Sequence, residues 1–220
     1  MNSDKLLKPL GNSDESGFTI VESLVAIIII SILLVAIAPV LTLSVANRVQ
    51  SKRVEAATKA AQGYMDGIRG GTVAHPSEQL ASAMRTGTNT LAGYAAPLGT
   101  NLTCVAGKYC TAPQANLFCI DGDGDNKCTN TSNQDVIIQG FGYITTDNVS
   151  KGYRSYQLGT RVYRADAFVP GVTLQKGVSQ STVGSIKKAP PLYEATTEVV
   201  VEDAAKFKAL CSDAGISTGC

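Results

Sequence analysis

Glu22 is the one carboxylate in an otherwise uncharged stretch, and no charge follows it through Leu41. A carboxylate at the centre of a lipid-embedded helix costs about 2.5–3.5 kcal/mol on insertion scales, so the chemistry open to it is pairing with a cation. Three further carboxylates, Asp121, Asp123 and Asp125, alternate in "CIDGDGDNKC" (119–128). Oxygens at that spacing can converge on a hard cation such as Ca²⁺. Six cysteines, Cys104, Cys110, Cys119, Cys128, Cys211 and Cys220, could close disulfides. The only histidine, His75, precedes Pro76, and any Ser/His/Asp or Cys/His catalysis would have to use it. Nothing else in the sequence supports such catalysis, so the chain reads as a non-enzyme.

The acidic run matches only the first half of an EF-hand-like loop. Asn126 stands where glycine is expected and Ser132 where a bidentate glutamate is expected, although Asp135 could complete a shell by another geometry. The same residues read equally as a turn-rich Asp-Gly loop that binds nothing. The cysteines all lie beyond the apolar segment, are even in number and include no C-x-x-C. That distribution suits disulfides in an oxidising compartment better than a zinc ribbon or a thioredoxin-like site. Many connectivities are open; short loops favour Cys104–Cys110, Cys119–Cys128 and Cys211–Cys220.

The elements that must position these residues begin with the apolar wall. Leu24 to Leu41 holds 18 residues, about 27 Å of helix at ~1.5 Å each, close to the ~30 Å hydrocarbon core of a bilayer. A secretory signal core is shorter, roughly 7–15 residues. Ala36-Ile37-Ala38 does fit a signal-peptidase pattern, but the residue after that cut would be Pro39, which such enzymes generally reject. The division expected is a polar cytoplasmic leader over 1–17, a transmembrane segment over 18–41, an amphipathic helical extension over 42–70 and a head over 71–220. In the extension Val45, Val49, Ala57, Ala61, Tyr64 and Ile68 recur at mostly three- or four-residue steps, one apolar stripe, until Gly70-Gly71 stops the helix. Pro39 removes a backbone donor, so a kink or local melting is expected there. Ser31, polar within the run, is expected to bond back to a carbonyl.

In the head, residues 75–85 read as a short helix and 89–103 as loop. Residues 134–145, 156–169 and 193–202, rich in Val, Ile, Tyr and Thr, read as antiparallel strands; 171–191 reads as loop and 203–211 as a last helix. With 19 Lys+Arg against 18 Asp+Glu and no basic stripe, nucleic-acid binding has no electrostatic footprint. Arg48, Lys52 and Arg53 read as a solvated helix face. Asn101, Asn130 and Asn148 fit glycosylation sequons, which are common by chance.

Gly17-Phe18-Thr19-Ile20-Val21-Glu22, ahead of the uncharged run, resembles the prepilin processing motif of type IV pilins and type II secretion pseudopilins. The resemblance implies cleavage after Gly17 by a prepilin peptidase, N-methylation of Phe18, and Glu22 as the fifth mature residue. It also implies pairing of Glu22 with a neighbouring subunit's N-terminal amine as helices stack into a homo- or hetero-oligomeric filament. Pro39 matches that family's usual helix proline. The implied fold is α+β, with the long N-terminal helix packed on an antiparallel sheet of about four strands and Val45 to Ile68 lying across it. The implied setting is a single-pass inner-membrane subunit with a periplasmic head, meeting other pilins and an inner-membrane assembly platform and needing no cofactor. The later runs "LFCIDGDGDNKC", "QDVIIQGFGY", "YQLGTRVYRADAF" and "APPLYEATTEVV" look like the hormogonium polysaccharide secretion pseudopilins of cyanobacteria, which implies polysaccharide export and gliding. A major fibre pilin, or a membrane-anchored binding protein or enzyme, are the other classes to separate.

Overall fold

In the computed structural model the described residues are 19–87, 90–177 and 188–220. The leader, Gly17 and Phe18 lie outside them. The elements in chain order are α1 (Ile20–Arg69), α2 (Pro76–Gln79), β1 (Met84–Thr86), α3 (Thr90–Gly93), β2 (Cys104–Val105), β3 (Leu117–Ile120) and β4 (Lys127–Cys128). They continue with β5 (Val136–Ile144), α4 (Thr146–Ser150), β6 (Ser155–Arg164), β7 (Thr173–Leu174), β8 (Lys188–Ala189), β9 (Tyr193–Val200) and α5 (Ala204–Asp213). Two compact units divide the chain, Met1–Ala46 and Asn47–Cys220.

In the first unit α1 is apolar on every side, and Ile27, Ile30, Leu34 and Val40 are all exposed. It is long and apolar enough to cross a membrane. Ser31 Oγ donates to Ile27 O at 2.7 Å, so the hydroxyl is satisfied within the helix. The helix continues through Pro39 without interruption, so the expected local melting does not occur.

In the second unit a five-stranded sheet carries the order β1-β5-β6-β9, with β3 also on β5. β5, β6 and β9 form an antiparallel meander, and β3 pairs antiparallel with the first half of β5. Ala57, Ala61, Tyr64, Met65 and Ile68 of α1 are buried against the face carrying Ile138, Tyr156, Leu158, Val162 and Val199. The α+β architecture is therefore the expected one. Two alanines on that stripe let the helix backbone come close to the sheet. Val45 and Val49, expected on the same stripe, are 64% and 45% exposed, because the buried contact begins only at Ala57.

The reading of 75–85 as one helix needs correcting. Leu80 turns extended at φ −148° and ends α2 after a single turn. Met84–Thr86 then pairs in parallel with Gly142–Ile144, a stretch of β5 that β3 leaves free. Within 89–103, read as loop, α3 forms one helical turn.

Gly140 sets how closely α1 and the sheet approach. A Cβ there would collide with the Tyr64 hydroxyl, which hydrogen-bonds Tyr109 Oη at 2.9 Å. Tyr109 in turn donates to Ala74 O at 2.7 Å, so Tyr64 is the donor in the first bond. Gly140→Ala is expected to destabilise the head by about 1–3 kcal/mol through overpacking. Tyr64→Phe removes the oxygen that the methyl would strike, so the double variant should lose less than the sum of the singles in urea unfolding.

Candidate functional site

At the start of α1, Thr19 acts as N-cap: its Oγ1 accepts from Glu22 N at 3.2 Å. The run Thr-x-x-Glu is the sequence signature of a capping box, a signal that could have marked Thr19 in advance. Glu22 is exposed in the first turn of α1, where the helix dipole favours a negative charge. Among the described residues no cation pairs with it. An apolar helix with one unpaired carboxylate at its entry can bury that charge only against a cation brought by another group.

The acidic loop sits between β3 and β4, and its ends are tied by Cys119–Cys128. Cys104–Cys110 and Cys211–Cys220 are also bonded, so all three pairs are local in sequence and no free cysteine remains. Closing loops this short is worth roughly 2–3 kcal/mol each in the chain-entropy account. The carboxylates that converge are Asp121, Asp123 and Asp135, with oxygens within 4.8 Å of one another. Asp125 is not one of them. Its Oδ1 accepts from Lys127 N at 3.0 Å, and its other oxygen faces the Lys127 ammonium at 3.7 Å.

Backbone capture accounts for that convergence. Asp121 accepts from the N–H groups of Asp123, Gly124 and Asn126. Asp123 accepts from Asp125 N and the Ser132 hydroxyl. Asp135, 1% exposed, accepts from Gly122 N at 3.0 Å and Thr129 N at 3.1 Å. Asn126 adopts φ +66°, the left-handed turn that glycine would otherwise supply and asparagine tolerates. The Gly124 N–H above all, helped by those of Asn126 and Asp123, holds the Asp121 carboxyl below its usual range.

His75 is not placed as a catalytic base. Its Nδ1 accepts from Ser77 N at 3.1 Å and lies 2.8 Å from Ser77 Oγ, while Glu78 accepts from His75 N, closing a capping box on α2. The neutral ring therefore carries its proton on Nε2, which is buried without a partner, and meets the Tyr156 ring edge to face at 4.8 Å. Burial pushes its pKa down to about 3, too weak a base for work near neutral pH. The folded pKa lies below the ordinary 6.5, so the unfolded chain takes up the proton first as pH falls. Stability is then full above about pH 6.5 and lost progressively down to about 3. At pH 4.5 the loss should be on the order of 2–3 kcal/mol. His75→Asn, which keeps an N-cap acceptor, should flatten urea-unfolding profiles across that window.

On the far face of the sheet lies a polar row the sequence did not reveal. Gln139, Arg161 and Glu194 stand side by side on β5, β6 and β9. Arg161, fully buried, meets Glu194 at 2.6 Å, donates to Gln139 Oε1 and to the carbonyls of Leu91 and Ala95, and lies over the Phe141 ring. It pins α3 and the residues just after it to the sheet.

Fold and N-terminus together define a class: a chain with a helix fit to span a membrane and a disulfide-tied α+β head. Residues 12–38 match the family model described as the prokaryotic N-terminal methylation motif. That segment includes Gly17, Phe18 and Glu22 and carries the prepilin-type signal of type IV pilin-like proteins. No curated protein and no solved structure matches the chain.

Proposed function

We propose that this chain is a pseudopilin or minor pilin, an inner-membrane subunit that assembles into a type IV pilus-like or type II secretion-like filament. The observation that carries the reading is the methylation motif over 12–38 placed directly on a helix that is long and apolar enough to span a membrane. On this reading a prepilin peptidase cuts between Gly17 and Phe18, and methylation leaves the new amine on Phe18 charged. That amine is a cation of the kind Glu22 lacks among the described residues. It arrives on a neighbouring subunit, so the charge is neutralised as helices stack. The head faces the periplasm, where disulfides persist. Assembly through helix packing and an ion pair needs no cofactor. The finer role proposed, support of polysaccharide export and gliding motility, rests on the resemblance of the head's sequence runs.

Mass analysis of the native N-terminus from cells with and without a prepilin peptidase tests this. The expected species is a chain beginning at methylated Phe18 in the first strain and at Met1 in the second. A chain beginning at Pro39, or at Met1 in both, would overturn the proposal.

A further inference from the structure

From Ser23 to Val54 the chain carries three charges, Arg48, Lys52 and Arg53, and all are positive. All lie on α1; Arg48 and Lys52 are exposed and Arg53 is partly so. Among the described residues none of them forms an ion pair. The nearest acidic position along the helix, Glu55, is already held by Lys59 at 2.7 Å, with Lys52 acting on it only through space. The large exposed apolar side chains of α1 run from Ile20 to Val49 and then stop. Greasy exposure therefore gives way to unpaired positive charge within about one turn of helix.

That order is the order of a bilayer, hydrocarbon first and phosphate next. We propose that Arg48, Lys52 and Arg53 form a collar that docks on the phosphate groups of anionic lipids at the head side of the membrane. The inference rests on the anchored reading above and adds the lipid class. A helix passing through the headgroup layer is surrounded by it, so the cations need not share one face. Their aliphatic stems can lie along apolar surface while the charged ends reach the phosphates. Each basic residue near an anionic surface contributes about fivefold in binding. The collar's charge is complementary to such a surface, and the carboxylates among the described residues leave it free of ion pairs.

Full-length protein and the variant Arg48→Gln/Lys52→Gln/Arg53→Gln are to be placed in nanodiscs of equal phosphatidylglycerol and phosphatidylcholine, and the retained lipids counted by native mass spectrometry. The leader lysines are common to both chains, so the difference reads the collar alone. Wild type should retain phosphatidylglycerol over phosphatidylcholine in a ratio of about ten or more to one, against one to one in the disc, and salt should reduce the excess. The triple variant should fall by an order of magnitude or more toward the bulk ratio. A bulk ratio in wild type, or an excess that survives in the variant, overturns the collar. So does a bulk ratio in wild type together with weaker self-crosslinking in the variant, which would assign the cations to a neighbouring copy's carboxylates. A chain that does not enter the disc defeats the anchored reading and the collar together, whereas entry without enrichment defeats the collar alone.

Discussion

Arg161→Ala is expected to destabilise the head by about 3–5 kcal/mol, the range seen when one partner of a buried ion pair is removed. The single change leaves the Glu194 carboxylate, 11% exposed, without its guanidinium. It also strips donors from Gln139 Oε1, Leu91 O and Ala95 O and uncovers the Phe141 ring. Since small domains hold only about 5–15 kcal/mol in all, much of the fold's margin would go. Urea unfolding in detergent, followed through tyrosine near-ultraviolet dichroism, would measure the loss. Limited proteolysis should show faster cutting near Leu91–Ala95, the segment Arg161 holds down. Removing both charges as Arg161→Met/Glu194→Leu should cost less than Arg161→Ala alone, because no bare carboxylate is left behind. An Arg161→Ala protein as stable as wild type would mean that water reaches Glu194 freely.

Glu22→Ala should leave processing largely intact while cutting incorporation into sheared filaments by tenfold or more. Alanine is a better helix former and removes the cost of a carboxylate in lipid, so insertion itself should improve. What disappears is the acceptor for a neighbour's amine and, with it, the axial register of the stack. Glu22→Asp keeps the charge on a shorter arm and should retain part of the assembly. Immunoblots of membrane and sheared fractions, with the mature mass checked in each, separate a processing defect from an assembly defect. Normal incorporation of the processed alanine variant would rule out the ion pair as the assembly contact.

What could be read along the chain was whatever depends on near neighbours. The apolar wall, the stop at Gly70-Gly71, the β-branched runs that became β5, β6 and β9, and the short final helix all express periods or punctuation within a few residues. The disulfide loops are likewise local, spanning 6, 9 and 9 positions.

Only the tertiary structure decided which distant groups meet. Asp135 enters the acidic cluster in place of Asp125 because the β3–β5 pairing brings Val136 opposite Ile120, next to the loop. Arg161 reads in sequence as one polar residue in a strand, yet strand register sets it between Gln139 and Glu194 under a segment 70 positions away. His75, at the start of the run read as a short helix, became a buried cap under Tyr156. Local propensity is set by a residue's immediate neighbours and survives in any fold, whereas burial and partnership depend on long-range strand and helix contacts that form only when the whole head closes.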